Sequence, residues 1–286
     1  MENSLKFKYN TLKFNKIQFL IFIFLTLLIQ VSAQRQNMRS RSEIGFYGGG
    51  IYYIGDLNQS HFTYSQAAEG LFFRFNYNSR IAFKVTALTG TIGASDENAS
   101  YEVEKNRNLS FSSKIKEFGA GVEFNYFPFQ IGNVRYRGTG YLFAEISYFS
   151  MDPNTDYNGQ KISLRGIGTE GQNTPLSKDT YYSLNQLSIP LGIGFKHPLG
   201  NWGCIGIEYG IRKTFTDYLD DVKSNRFINP TAFSAYSNPI GLALSNRNLN
   251  KSPYGVRGNP MTKDWYASYG VTFSIRLGQT DKCFKH

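Results

Sequence analysis

The sequence predicts an all-β fold, an antiparallel transmembrane β-barrel of eight up-and-down strands, and three observations predict it. Eight segments alternate apolar residues with small, polar or charged ones, and a period of two is the mark of a strand with one greasy face. The connections between these segments alternate long and short. The composition is 16% aromatic with 28 Gly in 286 residues, yet no apolar run after residue 33 approaches a spanning helix. Barrels in membranes show this combination, because their signal per segment is weak.

The clearest strand is 117–126, EFGAGVEFNY. Phe118, Ala120, Val122, Phe124 and Tyr126 fall on one face; Glu117, Gly119, Gly121, Glu123 and Asn125 fall on the other. It is the fourth segment, extended back to about residue 111. Segment one, 43–54, is rich in Gly and Tyr. Segment two, 69–77, sets Leu71, Phe73, Phe75 and Tyr77 against Phe72, Arg74 and Asn76. A tight polar turn, Asn78-Ser79-Arg80, leads to segment three, 81–93, with Ile81, Phe83, Val85 and Ala87 opposite Ala82, Lys84 and Thr86. Segment five, 141–149, opposes Leu142, Ala144, Ile146 and Tyr148 to Glu145 and Ser147. Segment six, 185–196, places Leu187, Ile189, Leu191, Ile193 and Phe195 outside. Pro190 within it cannot donate to a ladder, so an irregularity is expected there. Segment seven, 204–215, and segment eight, 265–277, alternate in the same way.

Connections after segments one, three, five and seven are long (55–68, 94–110, 150–183, 216–264), and those after two, four and six are short (78–80, 127–140, 197–203). Outer-membrane barrels have short periplasmic turns and long outer loops. The expected location is therefore the cell outer membrane, facing its lipid, with both ends of the barrel chain periplasmic. Before the barrel, 1–33 reads as a cleaved signal peptide. Lys6, Lys8, Lys13 and Lys16 precede an apolar run at 17–29, and Val31-Ser32-Ala33 suits cleavage. Residues 34–42 are expected as a periplasmic segment, 43–277 as the barrel and 278–286 as a periplasmic tail. The formal charge is +10, and the first 33 residues hold four Lys and one Glu, leaving +7 spread over the rest. A dispersed surplus on an exported chain argues against nucleic acid as a partner.

The inward parity collects Arg74, Lys84, Glu117, Glu123, Glu145, Lys196, Glu208, Arg212 and Arg276. An eight-stranded barrel is just wide enough for side chains to fill it, and buried charges must pair. These nine are expected to neutralise one another around Gly-lined space. The alternative is a narrow channel or a small-solute-binding barrel. No catalytic centre is expected. Of the imidazoles, only His61, near Ser60 and Asp56, sits where chemistry could occur, and its spacing is not that of a triad. Asp217, Asp220 and Asp221 in TDYLDD lack the Gly and spacing of a calcium loop and read as a strand-end charge cluster. No cofactor or metal pattern occurs. Cys204 and Cys283 both fall near the periplasmic side, where an internal disulfide, a mixed disulfide with a partner and two free thiols are all open.

Several stretches, in order, resemble the PorG family of the type IX secretion system of Bacteroidota: YYIGDLN at 52–58, RNLSF at 107–111, GTEGQ at 168–172, QLSIPLGIGFK at 186–196, RKTFTDYLDDV at 212–222, and RGNP followed by DWY at 257–266. RKTFTDYLDDV is the most specific of them. The resemblance implies a non-catalytic outer-membrane subunit of a protein secretion machine that in some bacteria supports gliding. It also implies association on the periplasmic side with a ring of the PorK lipoprotein and PorN. It carries no defined site residues. Contacts to such a ring would come from Arg35, Arg39 and Arg41, the turns 127–137 and 197–202, and the tail 278–286.

Overall fold

A computed structural model describes residues 42–278, apart from 100, 134–136, 237–238 and 251–254. The expected signal peptide, most of the 34–42 segment, the tail beyond Gly278 and Cys283 lie outside the described residues. Ten strands follow in order: β1 Ser42–Ile54, β2 Gln66–Asn76, β3 Ile81–Ser95, β4 Ser110–Asn125, β5 Thr139–Ser150, β6 Pro153–Tyr157, β7 Gln160–Ser163, β8 Asn185–Leu199, β9 Gly203–Thr214 and β10 Trp265–Leu277. β1 to β5 and β8 to β10 are the eight expected staves, each end within a few residues of the sequence reading. Every stave pairs antiparallel with its neighbours, and the β1–β10 and β3–β4 ladders close the ring.

Following one row of partners around the ring fixes the geometry. From Asn76 the row passes Ala82, Glu123, Phe143, Gly192, Gly210, Ser268 and Ile51, and returns to β2 at Gln66, ten residues from its start. A stagger of this size in eight strands requires them to tilt by roughly 35–45°. The short turns have local causes. At Asn78 the side-chain Oδ1 accepts from the backbone N–H of Arg80 (2.7 Å) and of Ile81 (2.8 Å), the capping that makes Asn a turn residue. At Pro190 the β5–β8 ladder is interrupted opposite Glu145, but the register is the same on both sides. The irregularity is thus a gap in pairing, with no inserted residue.

β6 and β7 were not expected. They form a hairpin that continues from the long-loop end of β4, where Ser112 pairs with Asn154. Asn158 and Gly159 turn it with φ of 52° and 77°, the left-handed pair that a tight two-residue hairpin needs. The long loops also carry short helices, including Glu102–Arg107 and Pro239–Ser245.

Alternation along the staves becomes a sharp division of environments. Phe118 is 60% exposed, while its neighbour Glu117 is 3% exposed and Glu123 is fully buried. Outside lie Ile44, Leu71, Phe83, Leu142, Ile146, Leu187, Ile193, Ile207 and Val271, all exposed. Tyr77, Tyr126, Phe127 and Trp202 stand exposed at the short-turn end. The barrel interior divides by depth. Its long-loop half is an apolar core of Tyr47, Ile51, Leu88, Ile92, Phe111, Ile115 and Phe149, capped by Leu219 and Val222 from the last loop. Its short-turn mouth is stopped by Phe129 and Ile131, packed with Cys204. Between them lie the charges.

Candidate functional site: a charged interior beneath a buried crown

Three tiers of charge occupy the barrel between the short-turn plug and the apolar core. In the lowest, Arg74 donates through Nη1 to Glu43 Oε2 (2.8 Å) and through Nε to Glu123 Oε2 (3.0 Å). Lys196 donates to Glu123 Oε1 and lies over the Phe129 ring. Glu43 also accepts from Asn76 (2.7 Å) and Ser274 (2.8 Å). In the middle tier, Lys84 Nζ donates to Glu208 (2.6 Å), which also accepts from the Tyr141 hydroxyl (2.8 Å). Glu145 is held more loosely, 3.9 Å from Lys84 and 3.3 Å from the Thr86 hydroxyl. In the upper tier, Arg212 faces Glu117 at 3.4 Å and donates to Ser268 at 2.6 Å, while Tyr266 donates to Glu117.

Eight of the nine predicted network residues are therefore brought together, each under 9% exposed. Arg276 is a correction. It shares the inward parity, but it sits at the end of β10 and donates instead to the Ile131 carbonyl at 3.1 Å. Glu43 takes its place in the network, and the set becomes five acids and four bases. The Gly-lined space is also corrected: aromatic rings fill it. A Cβ on Gly194 would come within 2.3 Å of the Tyr141 ring, and one on Gly192 within 2.5 Å of the Phe143 ring. Bare glycine on one strand lets a large ring on the next lie flat against it.

Above the barrel, the long loops fold into a crown with its own buried polar network. The Tyr53 hydroxyl bridges Asp220 Oδ2 (2.5 Å) and Asp264 Oδ1 (2.9 Å). Backbone N–H groups of Val222 and Leu219 complete these carboxyls at 3.0 Å each. Asp221, in the left-handed region at φ 65°, accepts from Thr169 and from Tyr182 (2.7 Å). Arg257 ties Glu170 (3.1 Å), Thr169 (3.1 Å) and the Ser245 carbonyl (3.1 Å) together. Arg107 grips Asp96 with two bonds (2.8 and 2.7 Å) and donates to the Asp56 and Arg257 carbonyls. Burial raises the carboxyl of Asp221 to about 7. Burial also raises Asp220 and Asp264 well above the aspartate range, and proximity to Asp264 adds to the rise at Asp220.

TDYLDD lies just beyond the end of β9, as a strand-end cluster would, but its carboxyls are buried. The three carboxyls point to different partners, Asp217 to Lys263 at 3.3 Å. Among the described residues, no group of His, Cys, Asp or Glu is placed to hold a metal. His61 does not meet Asp56. Its Nδ1 lies 3.0 Å from the Tyr52 hydroxyl on the outer wall, whereas Asp56 Oδ2 accepts from the Asn259 N–H (2.9 Å). Cys204 is a buried free thiol. Sequence periodicity could not find the crown, since Tyr53, Asp220 and Asp264 are far apart in the chain and share no repeat. The crown's parts are nonetheless the YYIGDLN, RNLSF, GTEGQ, TDYLDDV, RGNP and DWY stretches, which meet in this one network.

A family model described as a domain of unknown function, DUF6089, matches residues 17–286. No curated protein matches the chain. Solved structures with similarity include Ail, the attachment invasion locus protein of Yersinia pestis, in complex with the heparin analogue sucrose octasulfate (11% identity, TM-score 0.41, covering 84% of this chain and 100% of that one). Neisserial surface protein A is 8% identical with a TM-score of 0.41, covering 82% of this chain and 97% of that one. The outer membrane protein OprG of Pseudomonas aeruginosa is 9% identical with a TM-score of 0.36, covering 85% and 99%.

Proposed function

The chain belongs to the DUF6089 family, and from its closed barrel with an apolar outer wall we propose that it is an integral outer-membrane protein of structural rather than catalytic or conducting role. On β4 the outward face is apolar from Phe118 to Phe124, bounded by Lys116 and by Tyr126. From Lys116 to Tyr126 is ten residue steps, which at ~3.4 Å each and a tilt of ~45° put roughly 24 Å between the two bounding side chains, close to the ~25 Å apolar band of such barrels. Exposed aromatic rings at the short-turn end suit a membrane interface.

The finer reading is a barrel subunit of the type IX secretion machinery, joined at its short-turn, periplasmic side to the PorK and PorN ring. What carries it is that the stretches resembling the PorG family, scattered over the chain, converge in one buried crown, except QLSIPLGIGFK, which forms stave β8. Among the described residues the interior is filled by paired charges, rings and plugs at both ends, which suits an anchor better than a translocation path for cargo. Crosslinking in native membranes tests the partner: capture of PorK or PorN through the short-turn side is expected. Deletion of the gene should abolish secretion of type IX cargo, and unchanged secretion would remove that role.

A further inference from the structure

One sector of the outer wall differs from the rest. Among the described residues that the eight staves turn outward, Glu69 on β2 is the single acid, and Lys114, Lys116 and Lys213 are the bases. Glu69, Thr89 and Lys116 are direct neighbours in one cross-strand row over β2, β3 and β4. Glu69 and Lys116 are exposed, and neither makes an ion pair with another described residue. The two rows beneath run Leu71, Ala87, Phe118 and then Phe73, Val85, Ala120. Small Ala87 thus lies at the centre of the sector, with Leu71 and Phe118, each 60% exposed, on either side.

A carboxylate facing lipid carries a cost that falls only near the interface or with a partner. An anionic headgroup would repel it. What the sector does match is itself. A two-fold axis parallel to the barrel axis and passing through Thr89 exchanges the β2 and β4 sides, so that Glu69 of one copy faces Lys116 of the other, twice over. Rows climb because the strands tilt, and Lys116 stands above Glu69 by about 7 Å, a drop that the flexible lysine stem can cover. Lower rows shift sideways with the same tilt, so Leu71 comes close to the axis and meets its own copy, while small Thr89 stands on the axis itself. An isologous interface requires this kind of self-complementarity, and small residues allow two membrane-embedded walls to approach closely.

We propose that the β2–β3–β4 wall is a lateral docking face for a second copy of this chain in the plane of the membrane, held by reciprocal Glu69–Lys116 pairs about Thr89. The proposal rests on the outer-membrane reading. The test uses the full chain with Cys204→Ala and Cys283→Ser, refolded into phospholipid vesicles, with folding scored by heat-modifiable mobility. Oxidation of Thr89→Cys should give a covalent dimer, and Ile193→Cys, on the far wall, should not. Glu69→Lys or Lys116→Glu should each abolish the Thr89→Cys dimer, and the two together should restore it. Equal crosslinking at positions 89 and 193, or indifference to both charge reversals, would overturn the dimer, as would Lys116→Glu changing only the retention of anionic lipid. Failure of the chain to enter vesicles at all would overturn the membrane reading, and the dimer with it.

Discussion

Glu123 is the acid on which the lowest tier of the interior depends. It is fully buried and accepts from both Arg74 and Lys196, which are themselves nearly or fully buried. Removing one member of a buried charge group leaves the others uncompensated, at about 3–5 kcal/mol. Glu145 differs, since its cation is 3.9 Å away and its other contact is a long bond from Thr86. A glutamine there can still accept from Thr86, and it removes the acid by which five carboxylates exceed four bases. Glu123→Gln should therefore lower unfolding free energy by about 3–5 kcal/mol, and Glu145→Gln by about 1 kcal/mol or less. Denaturant titration in vesicles, followed by tryptophan fluorescence, measures both; equal losses would show that the tiers are not ranked by their pairing.

At the scale of the element, the crown behaves unlike the staves. Asp220, Asp221 and Asp264 are all raised by burial. A carboxyl raised in the folded state contributes stability that is fully present below its unfolded value, about 3.9, and that is lost as pH rises through the folded value. For Asp221 that value is about 7. The groups facing it are Thr169, Tyr182, Glu170 and Arg257, and the single cation among them does not cancel the burial. The crown should thus loosen on alkalinisation through about pH 7 while the barrel holds. Proteinase K cleavage within 215–264 should accelerate across that range, and Asp221→Asn, neutral at every pH, should blunt the response. A flat pH profile in the unmodified chain would contradict the assignment. The contrast also explains what the sequence could and could not reveal. A period of two assigns a face, so all eight staves and most of the inward charges were legible. It does not assign depth, which is why Arg276 was grouped with the network although it lies beyond the lowest tier. It fails where glycines interrupt the alternation, as at Gly48, Gly49 and Gly50, and Glu43 at the head of that segment went unread. The β6–β7 hairpin carried its signal in Asn158-Gly159. The crown carried none that is local, because its bonds join residues such as Tyr53 and Asp264 across the whole chain.

At the scale of the whole molecule, the question is whether anything can pass. An eight-stranded ring leaves room only for side chains, and here the room is taken tier by tier. Phe129 and Ile131 stop one mouth, three charged tiers follow, and the apolar core and crown close the other. A small cavity of about 10 Å³ among Asp220, Asp221, Arg247 and Arg257 has room for about one water. If the crown alone were the gate, its removal would open a pore. The tiers argue otherwise, because Lys84 on β3 reaches Glu208 on the opposite stave β9 and Glu123 on β4 joins Arg74 on β2 to Lys196 on β8 beneath it, and parting them would strand buried charges. Planar-bilayer recordings should therefore show no conductance for the full chain, and still none after residues 216–263 are replaced by a short turn. Steady conductance in the shortened protein would place the barrier in the crown and favour a gated channel over a filled anchor.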